Sequence, residues 1–410
     1  MEPILNDLIA HLQSTLASLE GPLKSDLQAT IHAPSSGLPD KKLVALASEA
    51  EELLDRVQKL LQPPVELLAD NFLGYLDSKC LCAAVSLRIP DLLFTGAKTV
   101  SALADASDAD PTRLTQILRL LRNNGIFAYD ESTGTYSNNA ASELLRTDHW
   151  TQWHRWVDLY GNEFYDMARG IPGAVMARNA ATRTAAQLAF GTDKNMFDYA
   201  SEHGWLERLL GTIGAAAMAQ APGIVEDYPW GEVVGTTVLD VGGGSGDFIG
   251  ALLREFPTMK GAVLDTAQVI ERVTTPSFRG EKAKFADVGG RVTELIAGDF
   301  LQDIPPFEVY TMKWCLHDWG DEDVLKVLKN ARKAIVEGPN SRFVIIESVL
   351  TEGRKGRLAR LGDVTMMVAA GGRERTYEEW KDLAERSGWR LAVVRSLRNA
   401  WPSAIELRPA

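Results

Sequence analysis

Residues 238–246 of this 410-residue chain read V-L-D-V-G-G-G-S-G, and this stretch decides the fold. An apolar run with the character of a buried strand passes directly into a glycine-rich turn, and a helical pattern follows the turn. A strand, a glycine turn and a helix in this order are typical of a nucleotide-binding turn at the carboxyl end of a strand. The stretch therefore predicts an α/β fold with a doubly wound, Rossmann-like sheet.

The spacing of the glycines discriminates between two nucleotide ligands. Gly242, Gly244 and Gly246 follow Asp240, and no glycine stands where the dinucleotide fingerprint G-x-G-x-x-G requires its third. S-adenosylmethionine has no pyrophosphate to place at a helix N-terminus, so it needs mainly a backbone that it can approach closely. The spacing therefore favours S-adenosylmethionine over NAD, although such a turn can also be a plain tight connection.

Acidic residues end the strands that follow the glycine turn. Asp265 ends a short apolar run, 19 residues after the last glycine of the turn, where a doubly wound sheet places an acid against ribose hydroxyls. Asp299 and Phe300 end the next run, where a carboxylate can accept the adenine amino group and a ring can pack on the base. Each acid alone could cap a helix, but their succession with Asp240 predicts a cofactor site.

Residues 308–320, E-V-Y-T-M-K-W-C-L-H-D-W-G, carry the candidate for the chemistry. His317 stands just beyond the fourth predicted strand, at the edge of the sheet where the glycine turn lies, and it is the only one of six histidines in the C-terminal half. Glu347 ends the next strand, and Glu374 lies in the turn G-G-R-E-R-T. Either carboxylate could hold the second imidazole nitrogen and stabilise the imidazolium, which makes His317 a candidate base.

Five segments carry a resemblance to a known family: D-V-G-G-G-S-G, L-D-T, G-D-F, K-W-C-L-H-D-W-G-D-E-D-V-L-K-V-L-K-N and G-G-R-E-R-T. Over about residues 70–400 the chain resembles the plant and fungal class I O-methyltransferases that act on small molecules, with a layout similar to caffeic acid O-methyltransferase. The resemblance implies methyl transfer from S-adenosylmethionine to a hydroxyl in fungal secondary metabolism. It also implies a homodimer whose N-terminal helices intertwine.

The resemblance further implies roles for individual residues. His317 would be the general base, and Glu347 and Glu374 would orient it. The residues expected at the cofactor from the pattern or from the resemblance are Asp240, Gly242, Gly244, Gly246, Asp265, Asp299, Phe300, Lys313 and Trp319. Asp318 would help to hold the substrate. One departure is Ala369-Ala370, where plant members commonly carry a polar Asn, so plant phenylpropanoid specificity does not transfer.

The aromatic stretch over residues 150–200 indicates where the acceptor binds. Most of its rings are interpreted as a helical core that links two domains, and the others face the cleft. The residues expected to form a broad, flat, apolar pocket are Phe164, Met176, Trp314, Met366 and Met367. Such a pocket suits an aromatic, polyketide-like or alkaloid-type acceptor. Four arginines leave an acidic acceptor open, although surface solvation explains them equally: Arg155, Arg169, Arg178 and Arg183.

The pattern divides the chain into four parts. The first is an N-terminal arm with amphipathic helices at residues 4–19 and 41–61 and a linker at residues 33–39. A winged-helix-like domain, a helical linker with a pocket layer, and the S-adenosylmethionine-binding catalytic domain follow. The predicted bounds of the four parts are residues 1–70, 71–149, 150–215 and 216–410. The first two parts are expected to form the homodimer.

A winged helix usually suggests DNA binding, but the charge of this one is against it. Between residues 91 and 146 five basic side chains stand against seven acidic ones, and the net charge of the chain is −12. Phosphate binding requires a basic face. The sequence therefore predicts no nucleic-acid partner, and the winged helix is assigned to dimerisation.

Composition bounds the remaining possibilities. The three cysteines form neither a disulfide framework nor a zinc-binding spacing, so no metal is expected. The chain has no apolar run near 18 residues and no basic start, which favours a cytoplasmic protein without a membrane partner. One alternative is an enzyme of this fold that binds S-adenosylmethionine as a non-reacting element and catalyses a dehydration or pericyclic step, and another is a non-enzymatic regulator. The intact His317 argues against the first alternative.

Overall fold

The structure is a computed structural model that describes residues 1–32, 37–180, 183–274 and 285–410. It divides into two compact units, Met1–Pro63 and Pro64–Ala410, and each is described by itself. Of the predicted linker at residues 33–39, residues 33–36 lie outside the described residues. No described helix is both long and apolar enough to cross a bilayer.

The first unit consists of three helices: α1 Glu2–Glu20, α2 Lys24–Thr30 and α3 Lys41–Leu61. Helix α3 begins where the sequence predicts, because the carboxylate of Asp40 accepts a hydrogen bond of 2.8 Å from the amide of Leu43. No residue of the three helices is buried. Large apolar side chains such as Ile4 and Leu53 are therefore exposed.

The second unit opens with a small domain of helices and a three-stranded antiparallel sheet of order β1-β3-β2. Its elements are α4 Pro64–Leu73, α5 Tyr75–Ser86, α6 Ile89–Leu93, β1 Lys98–Thr99, α7 Val100–Ser107, α8 Pro111–Asn123, β2 Phe127–Asp130, β3 Thr135–Asn138 and α9 Ala140–Glu143. The Asp110 carboxylate caps α8 by accepting a hydrogen bond of 2.9 Å from the amide of Arg113. Helix α8 and the β2–β3 hairpin lie within residues 71–149, the part predicted to be winged-helix-like.

A helical layer follows. Its elements are α10 Trp153–Leu159, a π-helical turn Tyr160–Phe164, α11 Tyr165–Ala168, α12 Ile171–Ala174, α13 Ala177–Ala180, α14 Ala185–Phe190, α15 Met196–Glu202 and α16 Leu206–Asp227. Thr184 and Gln187 form a capping box at the start of α14. Helix α16 continues through Pro222 for 22 residues.

The remaining elements build the large sheet and its flanking helices. They are β4 Thr237–Val241, α17 Asp247–Glu255, β5 Lys260–Asp265, α18 Ala267–Thr274, β6 Val292–Ala297, β7 Val309–Lys313, α19 Asp321–Ala334, β8 Arg342–Glu347, β9 Val349–Leu350, α20 Arg357–Ala369, β10 Arg375–Thr376, α21 Tyr377–Arg386, β11 Trp389–Ser396 and β12 Ser403–Pro409. Short 3₁₀ turns occupy Trp230–Val233, Ala286–Arg291 and Leu316–Asp318. The sheet order is β11-β12-β8-β7-β4-β5-β6.

The central strands are parallel and buried, which explains their uninterrupted apolar sequences. Val238 and Leu239 of β4 and every residue of β8 are buried. The strand order reverses between β4 and β7, so the carboxyl ends of these two strands flank a crevice. The antiparallel pair β11–β12, whose inner strand β12 pairs with β8, was not predicted.

Candidate active site

The glycine-rich turn presents bare backbone to the crevice. Gly242, Gly244 and Gly246 have φ angles of 68°, 57° and 76°, a region that disfavours residues with a side chain. The amide of Gly242 donates to the carbonyl of Leu264 at 2.8 Å, and the amide of Gly244 donates to a carboxylate oxygen of Asp265 at 2.8 Å. A Cβ atom on Gly244 would meet no heavy atom within 4 Å, so open space borders the turn there.

Asp240 lies beneath this turn rather than beside the open space. Its buried carboxylate accepts a hydrogen bond of 2.8 Å from the hydroxyl of Thr311, and a Cβ on Gly243 would lie 2.7 Å from its other oxygen. Burial raises the pKa of Asp240 to about 7, although the charge of Lys313 opposes the shift. The structure therefore places Asp240 where it supports the turn and bridges β4 to β7.

The other residues expected at the cofactor lie on neighbouring strand ends. Asp265 ends β5, and Asp299 follows β6, where its carboxylate accepts the amide of Leu301 at 2.9 Å. The rings of Phe300 and Trp319 meet edge to face with centroids 6.0 Å apart. Lys313 ends β7, with its ammonium group 5.0 Å from the centroid of the Trp314 ring. The strands that carry or precede these residues, β7 on one side and β5 and β6 on the other, lie on both sides of β4, which leads into the glycine turn.

His317 lies in the 3₁₀ turn after β7 and is buried, with 8% of its surface exposed. Its Nδ1 lies 2.9 Å from Oε1 of Glu374 and 3.3 Å from Oε2 of Glu347. Its Nε2 lies 3.9 Å from a carboxylate oxygen of Asp318. Since the carboxylates of Glu374 and Glu347 engage Nδ1, Nε2 is the nitrogen left to face a ligand.

The charges around His317 decide its protonation. Burial alone would lower the pKa of the imidazole, but the charge of Glu347 and the hydrogen bond to Glu374, assisted by the charge of Asp318, outweigh burial and raise the pKa to about 9. Burial also raises the pKa of Glu347, and the charge of His317 opposes that shift. The cluster therefore stabilises an imidazolium strongly, which makes neutral His317 a strong base.

Glu347 also shapes the turn that carries His317. It is fully buried at the end of β8, and its Oε1 accepts the amides of Cys315 and Leu316 at 2.8 and 2.9 Å. His317, Glu347 and Glu374 have donor atoms within 4.8 Å of one another, and they are the only group of this kind among the described residues. The imidazole–carboxylate contacts already account for this proximity.

Two residues that were not predicted from the sequence contact the turn that carries His317. Arg375 is fully buried and donates to the carbonyls of Leu316 and Trp319 at 3.1 and 2.7 Å and to a carboxylate oxygen of Asp321 at 2.9 Å. A Cβ on Gly372 would lie 1.9 Å from the carbonyl oxygen of His317. Both residues belong to the G-G-R-E-R-T motif. Its glycine pair could have indicated that another backbone segment approaches closely there.

A cavity of about 680 Å³ opens beside His317 and reaches Gly242. Phe164, Trp314, Asp318 and Met366 line it, as do several residues that were not predicted, among them Trp401 from the β11–β12 connection. A volume of this size suits a small organic ligand. The glycine turn and His317 therefore border one continuous space.

Two of the expected pocket residues lie elsewhere. Met367 packs with Met167 and Ala185, because it follows Met366 on α20 and adjacent helical residues point in different directions. Met176 is 43% exposed and does not line the cavity. None of the four arginines suggested for an acidic acceptor, Arg155, Arg169, Arg178 and Arg183, lines the cavity.

Known proteins resemble this chain over its whole length. Residues 224–390 match the O-methyltransferase domain, and residues 69–148 match the O-methyltransferase dimerisation domain. O-methyltransferase verK of Clonostachys rogersoniana is 50% identical over 410 residues, which cover 100% of both chains. O-methyltransferase aclM of Aspergillus oryzae is 49% identical over 415 residues, which cover 100% of this chain and 95% of aclM.

A solved structure shows the same architecture with a ligand. CalO1, a methyltransferase in calicheamicin biosynthesis, was solved with SAH bound; it has a TM-score of 0.72 and 28% identity and covers 87% of this chain and 99% of its own. In the present chain the bare glycine turn, the strand-end acids and the Phe300–Trp319 pair fit an adenosyl group. The chain therefore belongs to the O-methyltransferase family, and S-adenosylmethionine is its cofactor.

Proposed function

We propose that the protein methylates a hydroxyl group of an aromatic or polyketide-like small molecule, with His317 as the general base. The observation that carries the proposal is the arrangement of the imidazole. Nδ1 of His317 is engaged by Glu374 at 2.9 Å, and His317 lines the cavity that reaches the glycine turn. Nε2 is thereby available to a hydroxyl in this cavity. Glu347 and Glu374 orient the ring and balance its charge.

The proton transfer explains the need for the base. A phenol has a pKa of about 10 and is mostly neutral near pH 7, and the neutral oxygen is a poor nucleophile. Neutral His317 accepts the hydroxyl proton at Nε2, and Glu347 and Glu374 stabilise the resulting imidazolium. A positioned base of this kind contributes roughly 10²- to 10⁴-fold to the rate. Bound S-adenosylmethionine supplies an electrophilic methyl group on a sulfonium sulfur.

Orientation supplies the larger part of the rate. The residues along the cavity hold the acceptor oxygen at His317, in a space that reaches Gly242 of the glycine turn. Holding two reactants in a near-attack arrangement lowers the barrier by on the order of 7 to 11 kcal/mol. The apolar wall, which includes Trp314 and Met366, excludes water from the site.

The proposed acceptor is a natural product. CalO1 is a methyltransferase in calicheamicin biosynthesis, and the rings of Trp156, Phe164 and Trp314 line the present cavity. Flat apolar walls suit a flat aromatic or polyketide-like body. Both observations support a secondary metabolite as the acceptor.

We also propose that the protein is a homodimer. Residues 69–148 match a dimerisation domain, and the helices α1 and α3 expose apolar residues along their length. Apolar surface of this extent is usually covered by a partner. Light scattering at micromolar protein should give twice the mass of the 44.9 kDa chain, and a monomeric mass would contradict the proposal.

The function is tested with S-adenosylmethionine that carries an isotopically labelled methyl group. Wild-type protein is incubated with a panel of phenols, enols and a metabolite extract, and a labelled methyl ether is the expected product. If the cofactor binds and an extract component is transformed without gaining label, the non-methylating reaction on this fold replaces the proposal. If an N-methyl or C-methyl product forms instead, the assignment of a hydroxyl acceptor is wrong.

A further inference from the structure

The cavity wall contains a continuous series of aromatic contacts that begins at Tyr160. The ring of Tyr160 is stacked on Trp156, with centroids 5.1 Å apart and planes at 23°, and on Phe164, with centroids 4.5 Å apart and planes at 13°. Trp156 meets Trp314 at 6.1 Å, and Trp314 meets the imidazole of His317 at 6.4 Å. Tyr160 is thus three ring contacts away from the proposed base.

The backbone explains how Tyr160 is held. It begins the π-helical turn Tyr160–Phe164, which interrupts the run from α10 to α11. Turns of this type widen a helix locally and occur frequently at functional sites. Trp156 and Phe164 stand four residues before and after Tyr160, so they cover its two faces. The ring is therefore fixed, and its hydroxyl is the only part that can recognise a polar group.

The hydroxyl of Tyr160 is not used by the protein. Tyr160 lines the cavity, and no described residue forms a hydrogen bond with its oxygen. Burial raises the pKa of Tyr160, so the group remains a neutral donor. A hydroxyl that lines a cavity and has no partner in the protein can form a hydrogen bond with a polar atom of a ligand.

Most of the uncharged polar side chains along the cavity are already bonded within the protein. The bonds are those of the Thr184–Gln187 capping box, of Asn195 with the amide of Asp198, of Thr212 with the carbonyl of Arg208, and of Thr365 with the carbonyl of Leu361. Tyr160 differs from these residues because its hydroxyl bonds to no described residue. The indole N–H of Trp156 also has no partner among the described residues, but it is enclosed by the protein, so the hydroxyl of Tyr160 is the more accessible partner for a remote polar group of the acceptor.

The charged residues in the described lining are confined to the reacting end. They are His317, Asp318 and Glu374, and no described Lys or Arg lines the cavity. Two arginines of the helical layer are paired with acids, Arg208 with Asp158 and Arg183 with Asp193. Away from His317, a carboxylate or phosphate on the acceptor would find no described cation in the lining, so an acceptor that is anionic at its remote end is disfavoured.

From these observations we propose that Tyr160 is a specificity-determining residue that recognises an uncharged acceptor. Its hydroxyl donates a hydrogen bond to a carbonyl oxygen on the part of the acceptor away from the hydroxyl that is methylated. This inference rests on the proposed function, because it assumes that the acceptor binds in the cavity beside His317.

The test compares Tyr160→Phe with wild type on matched phenols: 2-hydroxyfluorenone with 2-hydroxyfluorene, and 4-hydroxybenzophenone with 4-benzylphenol. Removing the hydroxyl should raise KM for the ketones by roughly 3- to 10-fold and leave kcat within about twofold, because one neutral hydrogen bond is lost. The methylene partners should show no change in KM. Tyr199→Phe is the matched control, because Tyr199 stacks on Phe190 and does not line the cavity.

A binding measurement separates this inference from the proposed function. Affinities of the same phenols are measured by tryptophan fluorescence in the presence of S-adenosylhomocysteine, so that no turnover is needed. Weaker ketone binding to Tyr160→Phe supports the inference even if methyl transfer is not observed, whereas failure of wild type to methylate any phenol counts against the proposed function alone. Equal losses for ketones and methylenes, no loss for either, or preference for 6-hydroxy-2-naphthoate over 2-naphthol would overturn the inference.

Discussion

Oε2 of Glu347 lies 3.3 Å from Nδ1 of His317, while Oε1 of the same carboxylate accepts the amides of Cys315 and Leu316. One buried side chain at the end of β8 thus positions the turn that carries the imidazole and supplies charge to the imidazole. Glu374, in the G-G-R-E-R-T motif, forms a hydrogen bond of 2.9 Å with the same Nδ1. Position and basicity of His317 therefore depend on the same pair of carboxylates.

The activity should depend on pH through the protonation of His317. Because the pKa of His317 is raised to about 9, the free enzyme carries mostly imidazolium near neutral pH, and only the neutral form can accept a proton. We expect kcat/KM to rise about tenfold per pH unit in the neutral range and to level off near pH 9. The profile is measured with an acceptor that does not itself ionise below pH 9. A plateau already reached at pH 7 would contradict the assigned protonation.

Glu374→Gln tests the source of that shift. The amide oxygen can still accept a hydrogen bond from Nδ1, but the negative charge is lost, so the pKa of His317 should fall by about one unit or more. The rising limb of kcat/KM should move to lower pH by the same amount, with a lower plateau. Glu378→Gln, an exposed acid in the first turn of α21, is the matched control. An unmoved limb would show that Glu374 does not set the basicity.

Asp265→Ala should weaken cofactor binding. The carboxylate ends β5 beside the glycine turn and holds the amide of Gly244, and we expect it to accept the ribose hydroxyls as well. Its loss should lower the affinity for S-adenosylmethionine roughly tenfold in calorimetry. Asp303→Ala, an exposed acid after β6, is the control and should leave the affinity unchanged. Equal affinities of wild type and Asp265→Ala would remove this residue from the cofactor site.

Arg375→Met should loosen the turn of His317. The substitution leaves the carbonyls of Leu316 and Trp319 without their donor in a buried place. Groups of this kind cost roughly 1–3 kcal/mol when unpaired, so the free energy of unfolding in urea should fall by about that amount, and kcat should fall with it. Arg386→Met removes only an exposed pair with Asp382 and should change stability by less than about 0.5 kcal/mol.

The sequence predicted the elements whose signals are local. The apolar runs of β4 to β8 and the helix Lys41–Leu61 each follow from a pattern within the segment itself. The pair β11–β12 was not anticipated, because its place beside β8 depends on a long-range pairing between Ser403–Pro409 and Arg342–Glu347.

The site was predicted only in part, because some of its contacts also depend on long-range packing. The order of the strands brings Asp265 and His317 to one edge of the sheet, and the sequence could indicate this. Whether Glu347 or Glu374 holds the imidazole depends on distances of a few ångströms across the fold, and both carboxylates prove to be close. Likewise, only the three-dimensional packing of α20 shows that Met366 lines the cavity and that Met367 packs with Met167.

The most direct test of the central claim compares wild type with His317→Ala on phenols of graded acidity, with pKa values from about 7 to about 10, at one pH near 8. If His317 accepts the hydroxyl proton, the variant should lose about 10²- to 10⁴-fold in kcat with the least acidic phenols. The loss should shrink toward unity with phenols that are already ionised, and cofactor affinity should stay unchanged. The same loss for every phenol, whatever its acidity, would show that His317 positions the acceptor without taking its proton.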